Sequence, residues 1–184
     1  DEAYEEALAY IRQDTHIRDV LITGGDAFVL PNKIIEKRLT ALDGIEHVRV
    51  KRLGTRIPVT APQRVDPELM DILAASNEKK PLRVVTQINT AQEITPISRD
   101  AFKRISKAVS AVLNQAVLLR GVNDDEDSLA ELSETLFDHG VLPYYLHHLD
   151  PVRRGDGHDF LDAAGMPGQV HGNDGLGAGR DGAG

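Results

Sequence analysis

Short apolar runs alternate along this chain with longer stretches in which apolar residues recur every three or four positions. The runs predict buried strands at 20–22, 47–53, 82–88, 116–119 and 141–146, because strands covered on both faces lose their polar alternation. The intervening stretches predict amphipathic helices. Asp66 and Thr95, each followed by proline, are predicted N-caps, and Gly44 and Gly140 are predicted helix ends.

Strands and helices repeat at intervals of roughly 30 residues, the length of one βα unit. Such repeats form an α/β fold with a parallel sheet, either doubly wound or curling toward a barrel. The carboxyl ends of parallel strands share one edge of the sheet. We therefore expect the polar residues at those ends to converge on a ligand-binding rim, namely Asp26, Arg56, Gln87, Asn89 and Asp150.

The first strand runs into the sequence Thr23-Gly24-Gly25-Asp26. Glycines leave the backbone free of Cβ atoms, so a ligand can approach it closely, and Asp26 places a carboxylate beside them. A tight turn in which Asp26 is solvated or caps a helix explains the same residues. Arg56 also has two interpretations, because its guanidinium suits either a phosphate or carboxylate ligand or a surface ion pair.

Composition narrows the classes of function. With 184 residues, of which 41% are hydrophobic, the chain suits one domain with one core. The net charge of −8 argues against a nucleic-acid partner. No apolar run approaches the roughly 18 residues that span a bilayer, so we expect no membrane partner and a cytoplasmic location. Cysteine is absent, and His147 and His148 are adjacent on a strand and point to opposite faces. We therefore predict no protein-ligated metal.

Several segments form motifs whose order and spacing match one known family, at 10–12, 18–27, 54–59, 62–65, 93–95, 113–124 and 143–147. Together they resemble the radical S-adenosylmethionine (SAM) aminomutases of the lysine 2,3-aminomutase type. The aminomutase that serves elongation factor P β-lysylation is a close relative within this family. The resemblance runs from about Tyr4 to Asp150.

The resemblance implies a partial (βα)6 TIM-like barrel, with a 4Fe–4S cluster, SAM and pyridoxal 5′-phosphate as cofactors. It implies an isomerase that moves the α-amino group of L-lysine to the β carbon through an aldimine with pyridoxal phosphate. The partner is then a small-molecule substrate, an amino acid, and homo-oligomers are expected. The elongation factor P-type aminomutase that forms (R)-β-lysine and a glutamate 2,3-aminomutase are alternatives, and a non-catalytic remnant is an alternative of another class.

The resemblance also implies roles for individual residues. Asp150 matches the carboxylate that pairs with the ε-ammonium of lysine. The Gly-Gly-Asp element matches the segment that holds the amino group of SAM. The implied cofactor-binding residues are Gly24, Gly25, Asp26, Thr55, Arg56, Gln87, Asn89 and Gln115.

The chain also departs from the family pattern. Residues 87–90 read Gln-Ile-Asn-Thr where the family has His-Phe-Asn-His. Neither the Cys-x3-Cys-x2-Cys loop nor the lysine that binds pyridoxal phosphate is present. We therefore expect residues 1–155 to form an incomplete barrel core, and 156–184 to be a glycine-rich tail that is disordered or out of frame. On this view the chain is an inactive fragment without catalytic residues.

Overall fold

The structure, a computed structural model, describes residues 2–148. Asp150, the predicted boundary at residue 155 and the predicted tail lie outside the described residues. The strands are β1 (Asp19–Ile22), β2 (Val50–Gly54), β3 (Leu82–Thr86), β4 (Ala111–Val117) and β5 (Val141–His147). The helices are α1 (Glu2–Gln13), α2 (Asn32–Asp43), α3 (Ile57–Thr60), α4 (Pro67–Lys79), α5 (Pro96–Ala108) and α6 (Glu126–Asp138).

The described strands form a five-stranded sheet in the order β1-β2-β3-β4-β5. Every neighbouring pair in this sheet is parallel. A doubly wound sheet reverses its strand order at a switch point, whereas strands added in chain order follow the arrangement of a TIM barrel. The predicted α/β fold of parallel βα units is confirmed, and its strand order is that of a partial TIM-like barrel.

The main hydrophobic core lies between the sheet and the helices that follow its strands. Leu39, Leu73, Phe102 and Leu136, from α2, α4, α5 and α6, are buried in one cluster with strand residues such as Val84. A smaller cluster of Leu8, Leu42, Ile45 and Val48 packs α1 and α2 together. Among the described helices, none has the length and apolar character needed to cross a bilayer.

The predicted helix ends are confirmed by their hydrogen bonds and backbone angles. Asp66 accepts a hydrogen bond from the Leu69 N–H at 2.8 Å, and Thr95 accepts one from the Ser98 N–H at 3.2 Å. Gly44 is the C-cap of α2. Gly140 follows α6 with φ at 72°, a conformation that favours glycine.

The predicted boundary between α5 and β4 was wrong. The sequence predicts a strand that starts at residue 116, because the spacing of Val109 and Val112 also suits the buried face of the preceding helix. In the structure Val109 is the C-cap of α5, and β4 begins at Ala111. The Ser110 N–H donates to the Leu82 carbonyl at 2.9 Å, so pairing with β3 starts early. Long-range strand pairing therefore overrides the local helical pattern here.

A buried polar cluster connects α2, β2 and α4 near the amino end of β2. Lys51 is 0% exposed, and its Nζ donates to the Ser76 carbonyl at 2.9 Å and to the Asp43 carboxylate. The Ser76 hydroxyl donates to Asp43 Oδ2 at 3.0 Å. Burial lowers the pKa of Lys51, while the hydrogen bond that Lys51 donates to Asp43 acts in the opposite direction. The Lys51 ammonium and the Asp43 carboxylate thus form a buried ion pair.

Candidate functional site

A cavity of about 280 Å³ opens at the carboxyl ends of β1 to β4. Most of the residues predicted to bind a cofactor lie in its wall. These are Gly25, Asp26, Thr55, Arg56, Gln87 and Gln115, and the wall also contains Leu21, Thr23, Gly54, Val85 and Thr86. The parallel order of the strands thus brings together side chains that are far apart in sequence.

Asp26 connects the loops that follow β1 and β2. Its Oδ1 accepts from the Phe28 N–H at 2.9 Å and from the Thr55 hydroxyl at 2.6 Å. Its Oδ2 accepts from the N–H groups of Arg56 and Ile57, at 2.5 and 3.2 Å. The capping interpretation of Asp26 is correct, because it is the N-cap of the 3₁₀ turn Ala27–Val29. Both of its oxygens are already used by donors of the protein.

Arg56 connects the loop after β2 to the loop after β3. Its Nη2 donates to Glu93 Oε2 at 2.6 Å. The other oxygen of Glu93 accepts from the N–H groups of Asn89 and Thr90, at 2.7 and 3.1 Å. About half of the Arg56 side chain, 47%, remains exposed. The surface ion pair proposed from sequence is therefore present, and the Arg56 side chain, which lies in the cavity wall, stays partly exposed.

The two glycines have different structural roles. Gly24 has φ at 93°, which strains any other residue, and it lies outside the cavity wall. Gly25 has no such backbone requirement, and a Cβ built on it would meet no atom within 4 Å. Packing within the described residues therefore does not require glycine at position 25. Because Gly25 lies in the cavity wall, the absence of a side chain leaves room there for a ligand to approach the backbone.

Asn89 lies outside the cavity wall, although the sequence placed it on the same rim. Its Oδ1 accepts from the Val117 N–H at 2.8 Å, and its carbonyl accepts from Asn123 Nδ2 at 2.8 Å. Asn114 similarly pairs with both the N–H and the carbonyl of Ile88. These amides hold the loop after β3 against β4.

Thr86 is a cavity residue that the sequence interpretation missed. It is the last residue of β3, is 2% exposed and lies in the cavity wall. Its Oγ1 is a buried side-chain oxygen without a hydrogen-bond partner among residues 2–148. Most buried polar groups have a partner, so this unpaired hydroxyl is an exception within the cavity wall. The position of a polar residue at the end of an apolar run is the sequence signal that could have identified Thr86.

We expect the Thr86→Val variant to raise the free energy of unfolding by about 1 kcal/mol, because it replaces an unpaired buried hydroxyl with a methyl group. Urea denaturation followed by circular dichroism measures this change. Thr55→Val is the matched control, because the Thr55 hydroxyl donates to Asp26 and its removal is expected to lower stability by about 1–3 kcal/mol. A loss of stability in Thr86→Val would mean that the hydroxyl has a partner.

The comparisons with known proteins agree with the motifs described above. No protein-family model matches the chain. Over 147 residues the chain is 38% identical to the L-lysine 2,3-aminomutase of Buchnera aphidicola, an alignment that covers 80% of the chain and 43% of that protein. Over 150 residues it is 35% identical to the L-lysine 2,3-aminomutase of Escherichia coli, covering 82% of the chain and 43% of the relative. The chain is a homologue of the lysine 2,3-aminomutases.

A homologue with another substrate in its name is similar to the same degree. The glutamate 2,3-aminomutase of Clostridioides difficile is 40% identical over 149 residues, which cover 81% of the chain and 35% of that protein. The chain thus spans less than half the length of these relatives. The resemblance to the aminomutase family is confirmed, and overall identity does not separate lysine from glutamate as substrate.

Proposed function

We propose that this chain carries the SAM-binding rim of a radical aminomutase, which moves the amino group of L-lysine from the α to the β carbon. The observation that supports this proposal is the cavity at the carboxyl ends of β1 to β4. Its wall gathers residues that match the SAM-contacting positions of the family. The names of the Buchnera and Escherichia homologues support lysine as the substrate.

The cavity wall suits the amino-acid end of SAM. The Gly25 backbone is open to close approach, and the Thr86 hydroxyl has no partner within the described residues. The amides of Gln87 and Gln115 and the guanidinium of Arg56 add further donors and acceptors. Such groups match an ammonium and a carboxylate held side by side. Held by these residues, SAM would be the source of the radical in a complete aminomutase.

The residues of this chain do not fit the other two cofactors of the family, the 4Fe–4S cluster and pyridoxal 5′-phosphate. The 184 residues contain no cysteine, so they offer no thiolate to an iron–sulfur cluster. Within residues 2–148 no group of three His, Cys, Asp or Glu side chains is arranged to hold a metal ion, and no lysine lies in the cavity wall. We therefore limit the proposed role of this chain to SAM binding, and we propose that it is inactive by itself.

A glutamate 2,3-aminomutase is the second candidate, favoured by the 40% identity to the Clostridioides protein. The residue proposed to recognise the lysine side chain, Asp150, lies outside the described residues. Comparing the protein's affinity for L-lysine and L-glutamate, each with SAM present, tests the choice. If the protein binds L-glutamate more tightly than L-lysine, glutamate replaces lysine as the proposed substrate.

We expect SAM to bind this chain weakly, with a dissociation constant in the millimolar range, and to shift the amide NMR signals of Gly25, Thr55 and Gln115. Gly25→Ala is expected to weaken binding at least fivefold, about 1 kcal/mol, because a Cβ there blocks close approach to the backbone. The same change should leave stability nearly unaltered, since that Cβ meets no atom of the chain. An isotope-labelled sample titrated with SAM gives both the affinity and the location.

Gly44→Ala is the matched control for this titration, because Gly44 ends α2 with an ordinary φ of −75° and lies away from the cavity. We expect it to bind SAM as the wild type does. Absence of any shift at the cavity amides, or an equal loss of affinity in both variants, would contradict the proposed SAM site. Formation of β-lysine by the 184-residue chain would contradict its proposed inactivity.

A further inference from the structure

We propose that Arg56 is the residue of the cavity that receives a carboxylate, and that Glu93 is the positioning residue that aims it. The inference rests on the proposed function in taking that carboxylate to be the one on the amino-acid end of SAM. It adds a role for Glu93, which lies outside the cavity wall.

Arg56 is held at both ends of the residue. Its backbone N–H donates to Asp26 Oδ2 at 2.5 Å, and its Nη2 donates to Glu93 Oε2 at 2.6 Å. A free arginine loses considerable rotamer entropy when it binds a ligand. Here the contacts with Asp26 and Glu93 have already restricted the side chain, so the guanidinium meets the ligand in a prepared position.

The guanidinium keeps donors for a ligand. Arginine carries five N–H donors, and in the described residues the contact with Glu93 uses one nitrogen, Nη2. Arg56 is also the one cationic side chain in the cavity wall as the structure describes it. The carboxylate of Asp26 in the same wall is used by other donors. A planar guanidinium with free donors binds carboxylates and phosphates, and the proposed ligand, SAM, carries a carboxylate and no phosphate.

Glu93 couples this arginine to the loop that carries Gln87. One oxygen of Glu93 accepts from the Asn89 and Thr90 N–H groups, and completes a capping box with Thr90 around the turn Ala91–Glu93. The other oxygen accepts from Arg56. The Glu93 side chain is only 19% exposed, so it is fixed more firmly than the arginine it holds. The Glu93 carboxylate therefore fixes the position of both the loop after β3 and the Arg56 guanidinium.

A purely structural ion pair predicts a different behaviour. Exposed ion pairs contribute little to stability, and such a pair has no reason to affect one ligand more than another. A positioning role predicts that the loss of Glu93 weakens only ligands that carry a carboxylate. SAM and decarboxylated SAM form the discriminating pair of probes, because they share the adenosine, sulfonium and amino groups.

The test uses the full 184-residue chain in four forms: wild type, Glu93→Gln, Arg56→Lys and the double variant. Glutamine keeps an acceptor oxygen for the Asn89 and Thr90 N–H groups but removes the charge that faces Arg56. We expect Glu93→Gln to weaken SAM binding threefold to tenfold and to leave decarboxylated SAM unchanged. The double variant should bind SAM no more weakly than Arg56→Lys. Asp19→Asn, which breaks the exposed pair with Arg52, is the control and should change neither affinity.

A second measurement decides the inference without SAM. Acetate is titrated into the chain while the Nε–H signal of Arg56 is followed by NMR. We expect acetate to shift this signal in the wild type, with a weaker affinity in Glu93→Gln. If acetate shifts the Arg56 signal with the expected difference between the two forms while SAM does not bind, the proposed function is wrong and the carboxylate site at Arg56 is still supported. Equal acetate affinity in both forms, or equal loss of SAM and decarboxylated SAM, overturns the positioning role of Glu93.

Discussion

Replacing Lys51 with methionine is expected to lower the free energy of unfolding by about 3–5 kcal/mol, because it leaves the Asp43 carboxylate buried without its partner. The Lys51 side chain is 0% exposed and that of Asp43 only 5%, so water cannot replace the lost contact. A domain is typically stable by about 5–15 kcal/mol, and this single change removes a large share of that. Urea denaturation monitored by circular dichroism gives the difference.

The double variant Lys51→Met with Asp43→Leu is expected to recover most of this loss, because a buried ion pair can be replaced by apolar residues at little cost. The control is Lys37→Met, since Lys37 contacts Glu5 at 3.3 Å with both side chains more than half exposed, and we expect less than about 1 kcal/mol there. A similarly small effect in Lys51→Met would contradict a buried pair. Additive losses in the double variant would contradict the direct coupling.

Replacing Asp26 with asparagine is expected to lower the free energy of unfolding by about 2–4 kcal/mol, because both carboxylate oxygens accept hydrogen bonds and the new amide nitrogen accepts none. The N–H groups of Arg56 and Ile57, which donate to Oδ2, then lose their acceptor. Urea denaturation measures the stability. Amide hydrogen exchange at Arg56 and Ile57 measures the local effect, and we expect faster exchange at both.

Asp66→Asn is the matched control for Asp26. Asp66 is the N-cap of α4, and asparagine is as good as aspartate at that position. Its ion pair with Arg64, at 3.1 Å, is partly exposed and contributes little, so we expect a change below about 1 kcal/mol. Equal losses in the two variants would mean that Asp26 is an ordinary cap. An unchanged rate of amide hydrogen exchange at Arg56 would mean that Asp26 does not stabilise the loop after β2. Arg56 would then be held by Glu93 and not also by Asp26.

These predictions share a physical basis in the loops at the rim. Asp26 joins the loop after β1 to the loop after β2, and Glu93 joins the loop after β2 to the loop after β3. Asn89 and Asn123 continue the connection to the end of β4. Loops held to one another in this way keep the cavity in shape before a ligand arrives, which lowers the entropic cost of binding.

Much of the fold could be predicted because it depends on local patterns. Apolar runs located five parallel strands, and capping residues such as Asp66 and Thr95 located helix starts that the structure confirms. The start of β4 could not be predicted, because Val109 and Val112 suit a helix face as well as a strand. Pairing of Val112 with Val84 on β3 and Val141 on β5 decided it.

The candidate site shows the same division. Parallel strands end at one edge, and this rule correctly placed Asp26, Arg56 and Gln87 around one cavity, whose wall also contains Gln115, the residue named from the family resemblance. It also placed Asn89 on this rim, but the Asn89 side chain accepts from the Val117 N–H and is not part of the cavity wall. It missed Thr86, whose hydroxyl has no partner in the described part of the chain.

The sequence by itself determined the class of fold, the order of its βα units, the edge of the sheet that bears the candidate site and the resemblance to the aminomutases. Only the tertiary structure decided which partner each polar group has. Asp26 and Arg56 are 30 residues apart, and Lys51 and Ser76 are 25 apart. A local pattern records whether a residue is polar and which face it occupies. A hydrogen bond also depends on distance and angle to a group on another element, and packing of the whole sheet and its helices sets both.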